Sequence, residues 1–342
     1  MNRMKKTIYT TVMLAVLVFL GIGMLLGFDK SLPVLLEAFE QNKSFMLLAV
    51  GCQVMSLTCL WLRWHFIVSS AVGKVKASDT FVISLAGSAV NNITPSARMG
   101  GEAIKAMMLN KFAKVRTGLS TSTIVSEKIF DGIVFCSISV LAVYFSLSVL
   151  PAWVIGVVLI ALVFALLLLA IALELSFNKR AGEKLIRWIF RKFGGLINRF
   201  WSLESVKKHT FEGLLLFNAK TRKALRKKNV WFYGIFFSLM TWVFDILRSY
   251  FIFKSLGLEV GIATIAIVLV LSGLVGSLPL FPGGLGSMEP VMIIIYTSSG
   301  LSLAAAGMQT LLDRTLSFWL TTVLGLGAAY HAGIKLDKVN SE

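Results

Sequence analysis

The sequence predicts an all-α polytopic membrane protein with about six full spans plus two opposed re-entrant helical hairpins that form an inverted repeat. Three observations carry this reading. The 342 residues are 56% hydrophobic and 15% charged, with a mean hydropathy of +0.80, outside the range of soluble globular domains. Apolar runs of about 20 residues recur along the chain, each long enough to cross a hydrocarbon core. Two further apolar stretches are broken near their middle by a shared pattern, Pro95-Ser-Ala-Arg-Met-Gly-Gly-Glu102 and Pro282-Gly-Gly-Leu-Gly-Ser-Met-Glu289, with the same proline-to-glutamate spacing.

The elements follow in order. Residues 8–27 come after the basic start Met-Asn-Arg-Met-Lys-Lys and resemble a signal sequence, but no small-x-small cleavage site precedes Phe28, so a retained anchor is expected. Further full spans are expected at 45–67, 118–149, 152–173, 230–253 and 302–330. The broken stretches 80–110 and 262–298 are expected to be re-entrant hairpins. A single membrane domain, 1–342, then divides into a first repeat over 1–150 and a second over 151–334.

Charge orients these spans. The connection 176–228 holds fifteen Lys and Arg against Glu183, Glu204 and Glu212, an excess of twelve within a formal net charge of +17. Alternating the spans places this connection, Lys74 and Lys76, and the tail with Lys335 and Lys338 on one side. Under the positive-inside rule that side is the cytoplasm, so both termini are expected there, in a cell membrane. The first hairpin then enters from the cytoplasm and the second from outside. Within the connection, residues 183–193 space Leu, Ile, Trp and Phe at helical intervals beside cations, which suits a helix lying on an anionic leaflet.

Several function classes lose support. The basic excess sits in one topological connection without a groove-reading motif, so nucleic acid is not an expected partner. Cys52, Cys59 and Cys136 lie in apolar stretches without ligand spacing and read as packing residues; His65, His209 and His331 are scattered. No Gly-Lys-Ser phosphate loop or nucleophile-base pair is evident, so an ATP-coupled pump or an enzyme is not expected, nor a metal or cofactor.

The candidate site rests on the breaks and the intramembrane charges. Irregular backbone survives in a bilayer only against protein or a wet cavity, and inverted repeats with broken segments are a transporter signature. The turn Pro282, Gly283, Gly284 and Gly286 is expected to supply amide donors at the start of a half-helix, where an anion is favoured. At the first break Arg98 and Lys105 add full charge. Glu102 and Glu289 either cap their own half-helices or handle substrate directly.

Within the spans, Lys128 and Asp131 are three apart and expected to pair, as are Asp245 and Arg248. Glu127, turned about 100° from Lys128, faces something else. It and Lys128 either line a pathway or reach the interface. Asp313 and Arg314 are adjacent, so each seeks a partner on another helix; they echo Glu127-Lys128 at nearly the same distance from the preceding motif glutamate. Arg63, between Trp61 and Trp64, reads as an interface anchor.

The stretches "NNITPSARMGGEAIKAMML", "SEKIFDGIV" and "LPLFPGGLGSMEPVMIIIY" resemble the motif regions of the lysylphosphatidylglycerol synthase transmembrane family, also called flippase-like or UPF0104 membrane proteins. The resemblance covers nearly the whole chain. Where the family typically carries a Pro-Gly-Arg-x-Gly-Glu-like form at the first break, this sequence displaces the arginine to Arg98. The resemblance implies translocation of an anionic or polyprenyl-linked lipid or glycolipid between leaflets, with membrane lipids as partners. The alternatives left open by the residues are a secondary transporter of a small soluble anion and a membrane-embedded lipid-modifying enzyme.

Overall fold

The computed structural model describes residues 32–94, 100–115, 117–147, 151–178, 180–184, 187–188, 191–192, 227–278 and 281–341, with Met13, Gly21 and Thr221. Apart from Met13 and Gly21, the predicted first span 8–27 lies outside the described residues, as do Arg98 and most of the basic connection; of its amphipathic segment, residues 183–184, 187–188 and 191–192 are described and helical.

The described elements are helical throughout. In chain order they are α1 (Leu32–Asn42), α2 (Ser44–Val72), α3 (Ala77–Ile93), α4 (Gly100–Ala113), α5 (Thr117–Ser146), α6 (Ala152–Phe177), α7 (Lys228–Ser255), α8 (Ile262–Gly276), α9 (Met288–Ser298), α10 (Leu303–Arg314) and α11 (Thr321–Ser341). Among the described residues α2, α5, α6 and α7 are each long and apolar enough to cross a membrane. They coincide with the predicted spans at 45–67, 118–149, 152–173 and 230–253. The protein is an all-α, multi-pass integral membrane protein.

Burial separates outer from inner helices. α6 is apolar all round and exposes Ile160, Val163, Phe164 and Leu167, as a helix facing lipid must, because hydrocarbon gives no reason for a polar face. α2 and α7 form the centre, packed antiparallel: Gln53 meets Arg248, Ser56 meets Asp245, Arg63 meets Ser238, and Phe66 stacks on Tyr233 with ring centroids 4.2 Å apart. In the loop after α7, Glu259 accepts from Lys254 Nζ at 2.7 Å, which holds its carboxyl below the usual range.

Both broken stretches fold into packed helix pairs. At the usual rise, the 17 residues of α3 and 14 of α4 span about 26 and 21 Å, and the 15 of α8 and 11 of α9 about 23 and 17 Å, each short of a core of about 30 Å. α3 and α4 touch backbone to backbone: a Cβ on Gly101 would sit 1.9 Å from the Gly87 carbonyl oxygen. α8 and α9 are held by Val268, Leu271, Met292, Ile295 and Tyr296 in one buried cluster with Phe253 of α7.

The tips of the two pairs meet. Gly283, at φ +56°, turns the chain against Asn92 at the end of α3, and a Cβ there would come within 2.7 Å of the Asn92 carbonyl oxygen and 2.6 Å of the Phe318 ring. A side chain at this position is excluded by both backbone angle and space.

The predicted span 302–330 is helical without a gap but changes pitch. α10, capped by Ser302 accepting from the Ala305 amide at 3.1 Å, runs into a π-helical turn, Thr315–Leu320, before α11. A π turn shifts backbone bonds by one residue and leaves a carbonyl in need of a donor. The Phe318 oxygen, which accepts the Thr321 amide, also receives Asn92 Nδ2 at 3.3 Å and Thr322 Oγ1 at 2.6 Å, so the irregular turn is tied to the first helix pair.

Gly101→Ala is expected to force α3 and α4 apart and lower the unfolding temperature of the detergent-solubilised protein, at a cost of about 1–3 kcal/mol. Gly156→Ala, where the added carbon meets nothing within 4 Å, leaves that temperature unchanged or slightly raised.

Candidate functional site

The intramembrane charges collect into two networks. In the first, Arg63 of α2 donates through Nη2 to Glu127 Oε1 at 2.8 Å and through Nη1 to Ser238 Oγ of α7 at 3.0 Å, and also binds Asp131. Lys105 of α4 donates to the other Glu127 oxygen at 2.5 Å, lies 3.3 Å from Glu102, and sits 4.7 Å over the Trp64 ring. Lys128 reaches Glu102 at 2.8 Å. Arg63, Lys105 and Glu127 are buried, whereas Lys128 is 48% exposed.

In the second, Arg248 of α7 donates through Nε to Asp313 Oδ1 at 3.0 Å, and through Nη1 to Asp245 Oδ1 at 2.5 Å and Gln53 Oε1 at 2.7 Å. Ser249 donates to Asp313 at 3.3 Å and accepts from Gln309 Nε2 at 2.8 Å. The neighbouring Arg314 turns the other way, donating through Nε to Glu289 Oε1 at 2.7 Å and through Nη2 to the Gly283 carbonyl at 3.1 Å. Its guanidinium lies 5.2 Å over the Phe318 ring.

The two networks share one wiring plan. A central arginine, Arg63 or Arg248, binds an acid on a long helix, Glu127 or Asp313, and a polar group on the facing central helix, Ser238 or Gln53. The base following each acid, Lys128 or Arg314, binds the glutamate opening a short helix, Glu102 or Glu289. Gln53 and Ser238, and Arg63 and Arg248, are 185 residues apart; Glu127 and Asp313, and Lys128 and Arg314, 186; Glu102 and Glu289, 187.

Several expectations meet their outcome here. Asp245 pairs with Arg248, and Asp313 and Arg314 find partners on other helices, as their spacing requires. Lys128 and Asp131 do not pair: Lys128 turns to Glu102 on α4, and Asp131 binds Arg63, because the hairpin brings a nearer carboxylate to Lys128. Arg63 is not an interface anchor. It is 2% exposed and joins α2 to α5 and α7.

The amides of Gly284, Leu285 and Gly286 bond within the chain. Gly284 donates to the Phe281 carbonyl, Leu285 to that of Pro282, and Gly286 to Glu289 Oε2 at 2.7 Å. These donors, expected to face an anion, are engaged. Glu289 therefore ties the turn that precedes its half-helix and pairs with Arg314 at once, while at the first break the capping acceptor for the Gly101 amide is Asn91 Oδ1 at 2.8 Å.

Sequence reasoning passed over Gln53, Asn91, Asn92, Ser238 and Gln309. Their signal is an amide or hydroxyl within an apolar run, which costs energy in hydrocarbon unless bonded. Among the described residues no cluster of His, Cys, Asp and Glu has the makings of a metal site.

Residues 11–325 match the family described as the lysylphosphatidylglycerol synthase TM region. The chain belongs to this family. Relatives of this family member include UPF0104 membrane proteins from three archaea. One from Methanothermobacter thermautotrophicus is 31% identical, covering 86% of this chain and 87% of the relative. One from Methanocaldococcus jannaschii is 29% identical, covering 99% of each. One from Pyrococcus horikoshii is 25% identical, covering 90% of this chain and 94% of the relative.

In this member of the family, removing one partner of a buried pair leaves an uncompensated charge, which costs about 3–5 kcal/mol. Glu289→Ala is expected to destabilise by that order. Glu289→Ala combined with Arg314→Met recovers much of the loss, and a double-mutant cycle on thermal unfolding in detergent measures the coupling.

Proposed function

We propose that this protein is a flippase-like transporter, not an enzyme, which moves a phosphate-bearing lipid, anionic or polyprenyl-linked, between the leaflets of the cell membrane. In this reading two inverted halves each contribute a re-entrant hairpin, entering from opposite faces, with both termini and the basic connection in the cytoplasm.

Lys128 carries the reading. It stands twelfth in the 30-residue α5, inside a membrane-length helix, yet nearly half of its side chain is exposed. A charge at that depth is expensive, and ordinarily marks a path for something charged. Its partner Glu102 occupies the place of an anionic head group that exchanges with it. Two turns along the same helix, Thr121 joins Ala103, Ala106, Met107, Asn110 and Lys111 around an open cleft of about 400 Å³ between α4 and α5.

That lining supports a lipid over a soluble anion. Alanine and methionine suit an acyl or isoprenoid chain entering sideways, while Lys111 at the end of α4 suits its phosphate. The family's name, lysylphosphatidylglycerol synthase TM region, associates it with a phospholipid synthase, which agrees with a lipid substrate.

The half-helices support a carrier over a fixed scaffold. Each short pair is joined to a longer helix by a salt bridge in addition to its apolar packing, and ion pairs can exchange partners where packed cores do not. Glu102, Glu127, Asp313 and Arg314 are the charges that exchange in this scheme.

Proteoliposomes carrying a phosphatidylglycerol analogue with a fluorescent head group test this by quencher accessibility. Lys128→Ala is expected to slow transfer about tenfold, the weight of one charge-assisted contact of roughly 1.4 kcal/mol. Transfer at the wild-type rate in that variant would sink the mechanism, and uptake of labelled inorganic phosphate without lipid transfer would replace the substrate.

A further inference from the structure

The two bases that bind the half-helix glutamates stand in different surroundings. Arg314 is 4% exposed, whereas Lys128 is 48% exposed. Among the described residues, only the exposed base has a second cation beside its partner. Glu102 gives Oε1 to Lys128 at 2.8 Å and presents Oε2 to Lys105 at 3.3 Å. In the second network the residue matching Lys105, 187 positions on, is Met292, and Glu289 Oε2 takes the neutral Gly286 amide instead.

We propose that Lys105 is the positioning residue of the exchange site: it keeps the Glu102 carboxylate paired and in place while Lys128 leaves it for a phosphate. This role rests on the reading of Lys128 as the phosphate-binding cation, and it supplies a partner for the carboxylate that Lys128 leaves behind.

A low-dielectric surrounding makes such a partner necessary. A buried carboxylate that loses its one cation is left uncompensated, which strongly opposes the loss. With Lys105 already beside it, Glu102 stays compensated throughout. The contact has room to shorten to about 2.8 Å, usual for a charge-assisted bond, as Lys128 departs.

Lys105 itself is held too firmly to take the phosphate. It is 3% exposed, and its ammonium group meets Glu127 Oε2 at 2.5 Å and Glu102, and lies over the Trp64 ring. Its stem is fixed as well: a Cβ on Gly87 of α3 would come within 2.7 Å of Lys105 Cγ, so glycine makes the room this side chain occupies. Lys128 has the opposite character. Its exposed, flexible stem lets the ammonium swing off Glu102.

A bracing role for Lys105 leads to a different outcome. Were it only to hold α4 against α5, its removal would loosen both helices and leave Lys128 more accessible. Removal of a positioning residue does the reverse, because Glu102 then turns its whole charge on Lys128.

Chemical modification of the Lys128 amine by acetic anhydride, in the full-length protein in detergent and read by peptide mass spectrometry, tests this role. The probes are a short-chain phosphatidylglycerol and inorganic phosphate. In the wild type the lipid is expected to slow modification about tenfold, as one charge-assisted contact with its phosphate does. Lys105→Met lowers the basal rate and abolishes the protection, and Lys105→Arg restores both. Glu127 keeps Arg63 and Glu102 keeps Lys128 in the methionine variant, so no carboxylate is stranded. Lys105→Gln, which keeps a donor without the charge, is the second variant and behaves alike. Protection that survives both neutral variants, or a basal rate that rises in them, overturns the role of Lys105 and leaves the lipid reading standing. A wild type protected by neither probe overturns both. Protection by inorganic phosphate alone, lost in the neutral variants, supports Lys105 with a soluble anion in the lipid's place.

Discussion

A charge inside hydrocarbon has to meet its opposite, and in this protein that requirement ties the short helices to the long ones. α4 and α9 each open on a glutamate, and each glutamate is bound by a base from another helix, Lys128 of α5 or Arg314 of α10. The residue just before each base points about 100° away around the helix and binds the arginine of a central helix. Two neighbouring residues thus connect a hairpin on one side to the α2 and α7 pair on the other. Burial makes each link mutual, because losing either partner strands the other in a medium that does not solvate it.

The links also explain why the two networks are not equally closed. At the positions matching Lys105 and Asp131, the second network has Met292 and Ser317. Lys105 bridges Glu102 and Glu127, so the first hairpin is held by two cations, one of them stacked over Trp64. The second hairpin is held by Arg314 and by the backbone contact of Gly283 with Asn92.

Much of this was legible in the sequence, for identifiable reasons. Apolar length gives the long helices because the bilayer sets one thickness for all of them, and the Pro-Gly patterns give the breaks because no helix continues through Pro282-Gly-Gly. The pairing of Asp245 with Arg248 was legible because spacing alone brings them together. The pairing of Lys128 was not: i,i+3 spacing offered Asp131, and only the fold of α4 against α5 brings Glu102 closer. Arg63 misled for a related reason. Flanking tryptophans usually mark an interface, and nothing in a single sequence says that α5 delivers two carboxylates to that depth. The polar ties of Asn91 and Asn92 were hidden because a small amide near a break looks like part of the break.

Those asparagines show how the fold affords its irregular backbone. A broken helix and a π turn each leave polar backbone groups without partners, and in hydrocarbon such a group costs several kcal/mol. Here the defects sit together and serve one another. Asn91 takes the free Gly101 amide, Asn92 supplies a donor to the Phe318 carbonyl in the π turn, and Arg314 takes the Gly283 carbonyl. An isolated defect would have to be solvated, whereas defects that meet at one point satisfy each other with side chains already present. Hairpins that move relative to the spans must break these bonds together, so the tip contact confines any such motion to a few discrete arrangements rather than a continuous slide.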